Sequence, residues 1–189
     1  GKSALYYGFS SLGLEVGDEV LVPAFICKTV TEPLIRAGAK IRFFNINKDF
    51  TVDWNEVQGL ISHKTRAVVM YHYLGISVNV RETANFCEKH GLRFIEDAAH
   101  ALFSTVDGKP AGSIGDAAII SLRKCIPMSF GAALVVNSGD LPLSPPPEYA
   151  VALTPEAEMY WQERSKYMHQ TGWQNSDTAT ALDIPLYSS

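Results

Sequence analysis

Cysteine is scarce: Cys27, Cys87 and Cys125 are the only three in 189 residues. An odd number at such wide spacing fits neither a disulfide framework nor a zinc site, and it points to a reducing compartment, here the cytoplasm. An excess of positive charge is also missing. Sixteen Lys and Arg stand against twenty Asp and Glu, a net charge of -4, so no large basic face is on offer to nucleic-acid phosphates. No apolar run approaches the ~20 residues of a membrane span. The longest, such as Ala132 to Val136, have the length of a buried strand. The patterns His-Glu-x-x-His, Cys-x-x-Cys and Gly-x-Ser-x-Gly do not occur, which removes support for zinc proteases, zinc fingers and serine hydrolases and leaves no expected metal. The chain opens at Gly1 without Met and without a signal-like segment, directly into an apolar periodic stretch, and reads as a piece of a longer polypeptide.

Apolar residues make up 47% and charged residues 19%, enough for a core that outweighs chain entropy. Up to residue 137 the chain alternates helix-like and strand-like segments. Leu5, Tyr6, Phe9 and Leu12 recur at helical spacing before Gly13. Val20–Val22 is a short strand closed by Pro23, Thr29–Ala37 a helix with Pro33 inside it, and Lys40–Ile46 a strand. Asp53–Ile61 is a helix with a capping signal at Asp53 and Glu56. Ala67–Tyr71, Leu92–Ile95, Ala117–Ser121 and Ala133–Val136 read as buried strands, and Val80–His90 as a helix stopped by Gly91. Strands separated by helices predict an α/β fold with a mainly parallel sheet covered on both faces. Such sheets bind ligands beyond the carboxyl ends of their strands, which nominates Pro23 to Cys27, His72, Asp97 and Ser121 to Lys124. After Ser138 the composition shifts. Residues 139–154 form a Pro-rich linker, and residues 155–189 a helical tail with Ala157, Tyr160, Trp161, Arg164, Tyr167 and Met168 on one stripe. That stripe predicts packing on a neighbouring surface, either the chain's own domain or a second copy.

Three segments carry possible chemistry. Gly1-Lys2-Ser3 resembles the end of a phosphate loop without its upstream glycine; it is either an anion-binding helix start or an ordinary frayed terminus. Phe94 to His100 ends a buried strand in two carboxylates, two alanines and a histidine; Asp97 can meet a cationic nitrogen there or simply cap a turn. Lys124 follows another buried strand beside Arg123, where desolvation and a neighbouring cation favour a nucleophilic amine; a lysine snorkelling to solvent is the plainer alternative.

Six blocks in order then resemble one family. They are Gly17–Phe25, Ala37–Ala39 leading to Phe43–Ile46, His72-Tyr73-Leu74-Gly75, Glu96-Asp97-Ala98-Ala99-His100-Ala101, Gly112–Asp116, and Ser121–Lys124. Together they are similar to the DegT/DnrJ/StrS pyridoxal-phosphate-dependent sugar aminotransferases of fold type I, over Gly1 to about Asn137, with residues 1–138 as the core of the cofactor-binding large domain and the C-terminal small domain missing. The resemblance implies pyridoxal 5'-phosphate as cofactor, with Lys124, seven positions before the turn at Gly131, holding it covalently. Asp97 would pair with its ring nitrogen, His100 would lie near its phenolic oxygen, and Ser121 with Lys2 and Ser3 would bind its phosphate. Cys27 stands where the family often stacks an aromatic ring on the cofactor. The implied reaction moves an amino group from an amino acid, glutamate being expected, to a keto group of a nucleotide-linked sugar, in a homodimer serving polysaccharide or secondary-metabolite synthesis. Two other readings stay open: a truncated or non-catalytic relative that keeps the fold without turnover, and a phosphate-loop nucleotide-binding domain built on Gly1-Lys2-Ser3.

Overall fold

The structure, a computed structural model, describes residues 2–127 and 131–141. Its elements follow in chain order: α1 (Lys2–Ser10), β1 (Glu19–Pro23), α2 (Lys28–Arg36), β2 (Lys40–Phe44), α3 (Trp54–Gly59) and β3 (Thr65–Tyr71). A single 3-10 turn (Tyr73–Gly75) leads to α4 (Val80–His90), β4 (Arg93–Asp97), a small hairpin of β5 (Thr105–Val106) and β6 (Lys109–Pro110), then β7 (Ala117–Ile120), α5 (Leu122–Cys125) and β8 (Ala133–Val136). The linker from Pro142 onward and the helical stripe after residue 155 lie outside the described residues.

Six strands form one sheet in the order β2-β1-β3-β4-β7-β8. The first five run parallel, and β8 returns antiparallel on β7 with Ala117 opposite Val136. The mainly parallel expectation therefore holds, with an antiparallel edge. Strand alternation explains why both faces are apolar. On one face Val20, Val22, Val69, Ile95 and Ile119 meet Leu5 and Phe9 of α1 and Val30 and Leu34 of α2. On the other, Leu21, Val68, Met70 and Phe94 meet Val57 of α3 and Phe86 and Cys87 of α4. Each such side chain, fully buried, contributes about 1.5–3 kcal/mol relative to exposure. Gly8 lets α1 lie close to the sheet, since a Cβ there would come within 3.0 Å of Leu134 Cδ1.

Local signals explain the helix ends. Asp53 accepts the backbone N–H groups of Asn55 and Glu56 and starts α3. Gly91, at φ 64°, takes the left-handed conformation that ends α4. Pro33 sits inside α2 without breaking it; it lies in the helix's second turn, where the carbonyl it leaves unpaired is that of Thr29. The hairpin joining β5 and β6 is an addition to the elements expected above. Its turn is Asp107-Gly108, both at positive φ, the Asp-Gly signature of a two-residue loop.

The order of the strands sets where a ligand belongs. From β1 the chain moves outward to β2, then crosses back to β3 on the other side of β1. Connections thus diverge at the β1/β3 boundary, and a crevice opens outside the carboxyl ends of these strands.

Candidate active site

Tyr71 ends β3 in direct register with Asp97 at the end of β4. Because successive side chains alternate, both belong to the face that carries Val69 and Ile95. Asp97 is 3% exposed. Its Oδ1 accepts the Ala99 N–H at 3.1 Å, and among the described residues no donor reaches Oδ2. Burial is the main reason its carboxyl is pushed up to about 6, against the smaller opposing effects of the Ala99 hydrogen bond and the charges of Lys124 and His72. A buried carboxylate short of a partner is built to receive a cationic N–H, and the flanking Ala98 and Ala101, both buried, leave room for a flat group to reach it.

Lys124 sits in the short helix α5, which starts at Ser121 just beyond β7. Its Nζ lies 2.9 Å from Nε2 of His100. His100 in turn meets Tyr71, whose hydroxyl is 2.7 Å from Nδ1 and 3.2 Å from Nε2. Burial, then the nearby Lys124 charge, holds the His100 imidazole below its ordinary pKa, so the ring is neutral at pH 7. Burial, and then the charge of Asp97, raises the Tyr71 phenol. Lys124, His100 and Tyr71 therefore form one hydrogen-bonded chain on the same side of the sheet as Asp97.

The remaining expectations divide. Ser121 is buried at the β7 end, its carbonyl accepting the Lys124 N–H at 3.3 Å. Cys27 is exposed at the start of α2, its thiol donating to the Thr29 hydroxyl at 3.1 Å. The Thr29 hydroxyl, turned to donate to the thiolate, lowers its pKa most; the Thr29 amide next and the Lys124 charge last lower it too, against burial. Lys2 and Ser3 lie in the first turn of α1, and their side chains lie outside the described residues. His72, nominated as a strand-end group, is instead buried at 1% exposure and faces away from this crevice. It bonds Glu96 Oε2 at 2.9 Å and Ser77 at 2.6 Å.

Glu96 is the larger surprise. The paired carboxylates of Glu96-Asp97 look alike in sequence, yet alternation sends them to opposite faces. Glu96 is fully buried and accepts the amides of Gly112 (3.0 Å), Ile114 (2.8 Å) and Gly115 (2.6 Å) as well as His72. Burial would raise its pKa, but the His72 bond and these amides outweigh it and lower it. Glu96 thereby fastens the loop before β7, and Gly115 makes the approach possible because a Cβ there would lie 2.7 Å from the Phe94 carbonyl. Sequence reasoning also missed an aromatic stack beside the site. Tyr73 lies parallel to Phe25 at 5.7 Å and to Phe50 at 4.8 Å, and its hydroxyl bonds the Phe25 carbonyl at 2.7 Å. Tyr71 was missed as well, although period-2 alternation from Val69 aims it at the Asp97 face.

The sequence model of the DegT/DnrJ/EryC1/StrS aminotransferase family matches residues 1–142. The chain is 34% identical over 141 residues to a GDP-perosamine synthase of Vibrio cholerae, covering 73% of this chain and 38% of that protein. It is 32% identical over 144 residues to the UDP-4-amino-4,6-dideoxy-N-acetyl-beta-L-altrosamine transaminase of Campylobacter jejuni, covering 74% and 38%. Among solved structures it is similar to Helicobacter pylori PseC, an aminotransferase involved in pseudoaminic acid biosynthesis, with a TM-score of 0.68, 28% identity, and 74% of this chain against 39% of that one covered. The chain thus spans less than two-fifths of the length of these relatives.

Proposed function

This chain belongs to the DegT/DnrJ/EryC1/StrS aminotransferase family, and on that premise we propose that it is the cofactor-binding part of an enzyme that moves an amino group from an amino acid, glutamate being the expected donor, to a keto group of a nucleotide-linked sugar. Pyridoxal 5'-phosphate is the cofactor. The observation that carries the reading is the pairing of a buried carboxylate, Asp97, whose one hydrogen-bond donor among the described residues is the Ala99 N–H, with a lysine amine and a neutral histidine at the same strand ends.

When bound, the cofactor supplies an electron sink in conjugation with the substrate nitrogen. The chain's own groups have separable tasks. The Asp97 carboxylate would accept the ring N–H and keep that nitrogen protonated, which would recover part of the cost of burying the carboxylate. Lys124 Nζ would hold the cofactor covalently and, when free, would be placed to carry a proton to and from the substrate carbon. His100 holds that amine in place. Ser121 and the first turn of α1, with Lys2 and Ser3, would hold the phosphate.

The enzyme works as a homodimer in polysaccharide biosynthesis. Three exposed side chains at the strand-end loops support the dimer: Phe25 at 68%, Leu74 at 75% and Phe103 at 77% exposure form an apolar rim that a second copy would cover. Free thiols at Cys27, Cys87 and Cys125 support a cytoplasmic setting. Among the described residues no helix is long and apolar enough to cross a membrane. The test is a glutamate-dependent amino-transfer assay with nucleotide-linked keto sugars, run on this chain and on a version extended through a C-terminal domain. The extended version should turn over and this chain should show little or none. Equal, substantial turnover by both would show that the part beyond this chain has been misjudged, and no turnover by either with any such sugar would reject the reading.

A further inference from the structure

Tyr71 has no part in the scheme above, yet it occupies a demanding position. It ends β3 opposite Asp97 and on the same face. Its hydroxyl lies 2.7 Å from Nδ1 and 3.2 Å from Nε2 of His100. An oxygen that close to both nitrogens of one imidazole sits beside the ring, off the line of either in-plane lone pair, so its hydrogen bond there is a poor one. The phenol is nonetheless firmly placed. Tyr73 packs edge-on against it at 4.9 Å, and Tyr73 is itself stacked with Phe25 and Phe50 and bonded to the Phe25 carbonyl. A half-buried hydroxyl that is well positioned and poorly satisfied has a donor to spare. We propose that Tyr71 is a further cofactor-binding residue, its hydroxyl donating to the phenolic oxygen of pyridoxal phosphate.

The assignment follows from the side of the sheet that each group occupies. On the ring of pyridoxal phosphate, the nitrogen lies across from the carbon that carries the aldehyde. The phosphate arm and the phenolic oxygen flank that carbon on opposite edges. Asp97 on β4 would take the nitrogen and Lys124 the carbon. The groups suited to an anion stand on the β7 side. Ser121 follows β7, and α1 packs on β7 and β8, where a Cβ on Gly8 would meet Leu134 and Ile119. Tyr71 stands on the other side of β4, because the strand order runs β3-β4-β7-β8. With the phosphate drawn to Ser121 and α1, the phenolic oxygen would face β3 and Tyr71. That oxygen ionises readily on a ring whose nitrogen is protonated, so it calls for a donor. Tyr71 keeps its proton to give: burial first, then the charges of Asp97, Cys27 and Tyr73, push its phenol up.

The inference rests on the reading above, that Lys124 and Asp97 hold the cofactor. Its test compares pyridoxal phosphate with an analogue that carries hydrogen in place of the phenolic hydroxyl. Binding of each is read by equilibrium dialysis, so no turnover is involved. Tyr71→Phe keeps the ring and removes the hydroxyl. Loss of one hydrogen bond to a charged oxygen predicts about tenfold weaker binding of pyridoxal phosphate, with affinity for the analogue unchanged. Equal losses for both ligands would mean that the hydroxyl only shapes the pocket. Unchanged affinity for pyridoxal phosphate would mean that it makes no contact. Either result would overturn the proposal. A second measurement keeps both ring and hydroxyl. Tyr71→fluorotyrosine should show a larger fluorine NMR shift with pyridoxal phosphate than with the analogue, and equal shifts would overturn the proposal too. Failure of the underlying reading registers separately, as the absence of any pyridoxyl group on Lys124 after borohydride reduction, and would overturn both.

Discussion

Replacing Asp97 by Asn separates the stability of this fold from its function. The carboxyl of Asp97 is pushed up from 3.8 to about 6 by burial. A group whose pKa is higher folded than unfolded adds its full stability below the unfolded value and loses it as pH rises through the folded one. The loss here begins near pH 4, passes through about 6, and is complete by pH 8. The gap between 3.8 and about 6, at ~1.4 kcal/mol per tenfold change, is about 3 kcal/mol. The amide introduced by Asp97→Asn carries no charge, so the variant escapes this loss. Its oxygen still accepts from the Ala99 N–H, and any packing penalty from the new NH2 group is constant with pH. The stability of Asp97→Asn minus that of the wild type, measured without cofactor by urea unfolding, should therefore climb by about 3 kcal/mol between pH 4 and pH 8, a relative gain in Tm of roughly 6–12 °C for a domain of this size. The same substitution should cut amino transfer by orders of magnitude, because an amide cannot hold the ring nitrogen protonated. A difference in stability that stays flat from pH 4 to 8 would refute the reasoning, since it would mean that the carboxylate is already solvated or paired.

Glu96→Ala should cost about 3–5 kcal/mol by leaving three amides and His72 without their shared acceptor, read as a lower urea midpoint at pH 7. Because the Glu96 pKa is lowered in the folded state, its contribution is present above the unfolded carboxylate range and disappears as pH falls through the folded value, so wild type and variant should converge under acid. Gly75→Ala should destabilise by about 1–3 kcal/mol, since φ is 83° and a Cβ would meet the His100 carbonyl at 2.9 Å; thermal unfolding reads the loss, and the His100 NMR signals should move with it. Leu34→Ala, in the fully buried seam between α2 and the sheet, should cost about 2–5 kcal/mol without changing which lysine binds the cofactor.

Much of the fold was legible because its signals are local. Val80–His90 and Ala133–Val136 emerge with the bounds their patterns predict, the first from a helical stripe and a glycine stop, the second from an apolar run too short for a helix. The strand at Lys40 ends at Phe44 instead of Ile46, since its last pairing is Pro23 with Phe44 and β1 goes no further. Asp97 and Lys124 stood out because polar groups at strand ends are where such sheets bind ligands. Glu96 did not, because two adjacent carboxylates differ only in which face each one takes, and the loop that Glu96 holds comes from sixteen to nineteen positions further along. The aromatic stack of Phe25, Phe50 and Tyr73 is equally non-local: its three rings come from different crossovers, and only the order of the strands brings them together.

The central claim is that Lys124 and Asp97 form a pyridoxal phosphate site, and its most direct test is to map the covalent attachment. The protein is mixed with pyridoxal phosphate, reduced with borohydride, digested and sequenced by mass spectrometry, with Lys124→Ala in parallel. The account predicts a single pyridoxyl group on Lys124, absent from Lys124→Ala. A pyridoxyl group that persists in Lys124→Ala on another lysine, or none in the wild type at saturating cofactor, would contradict it.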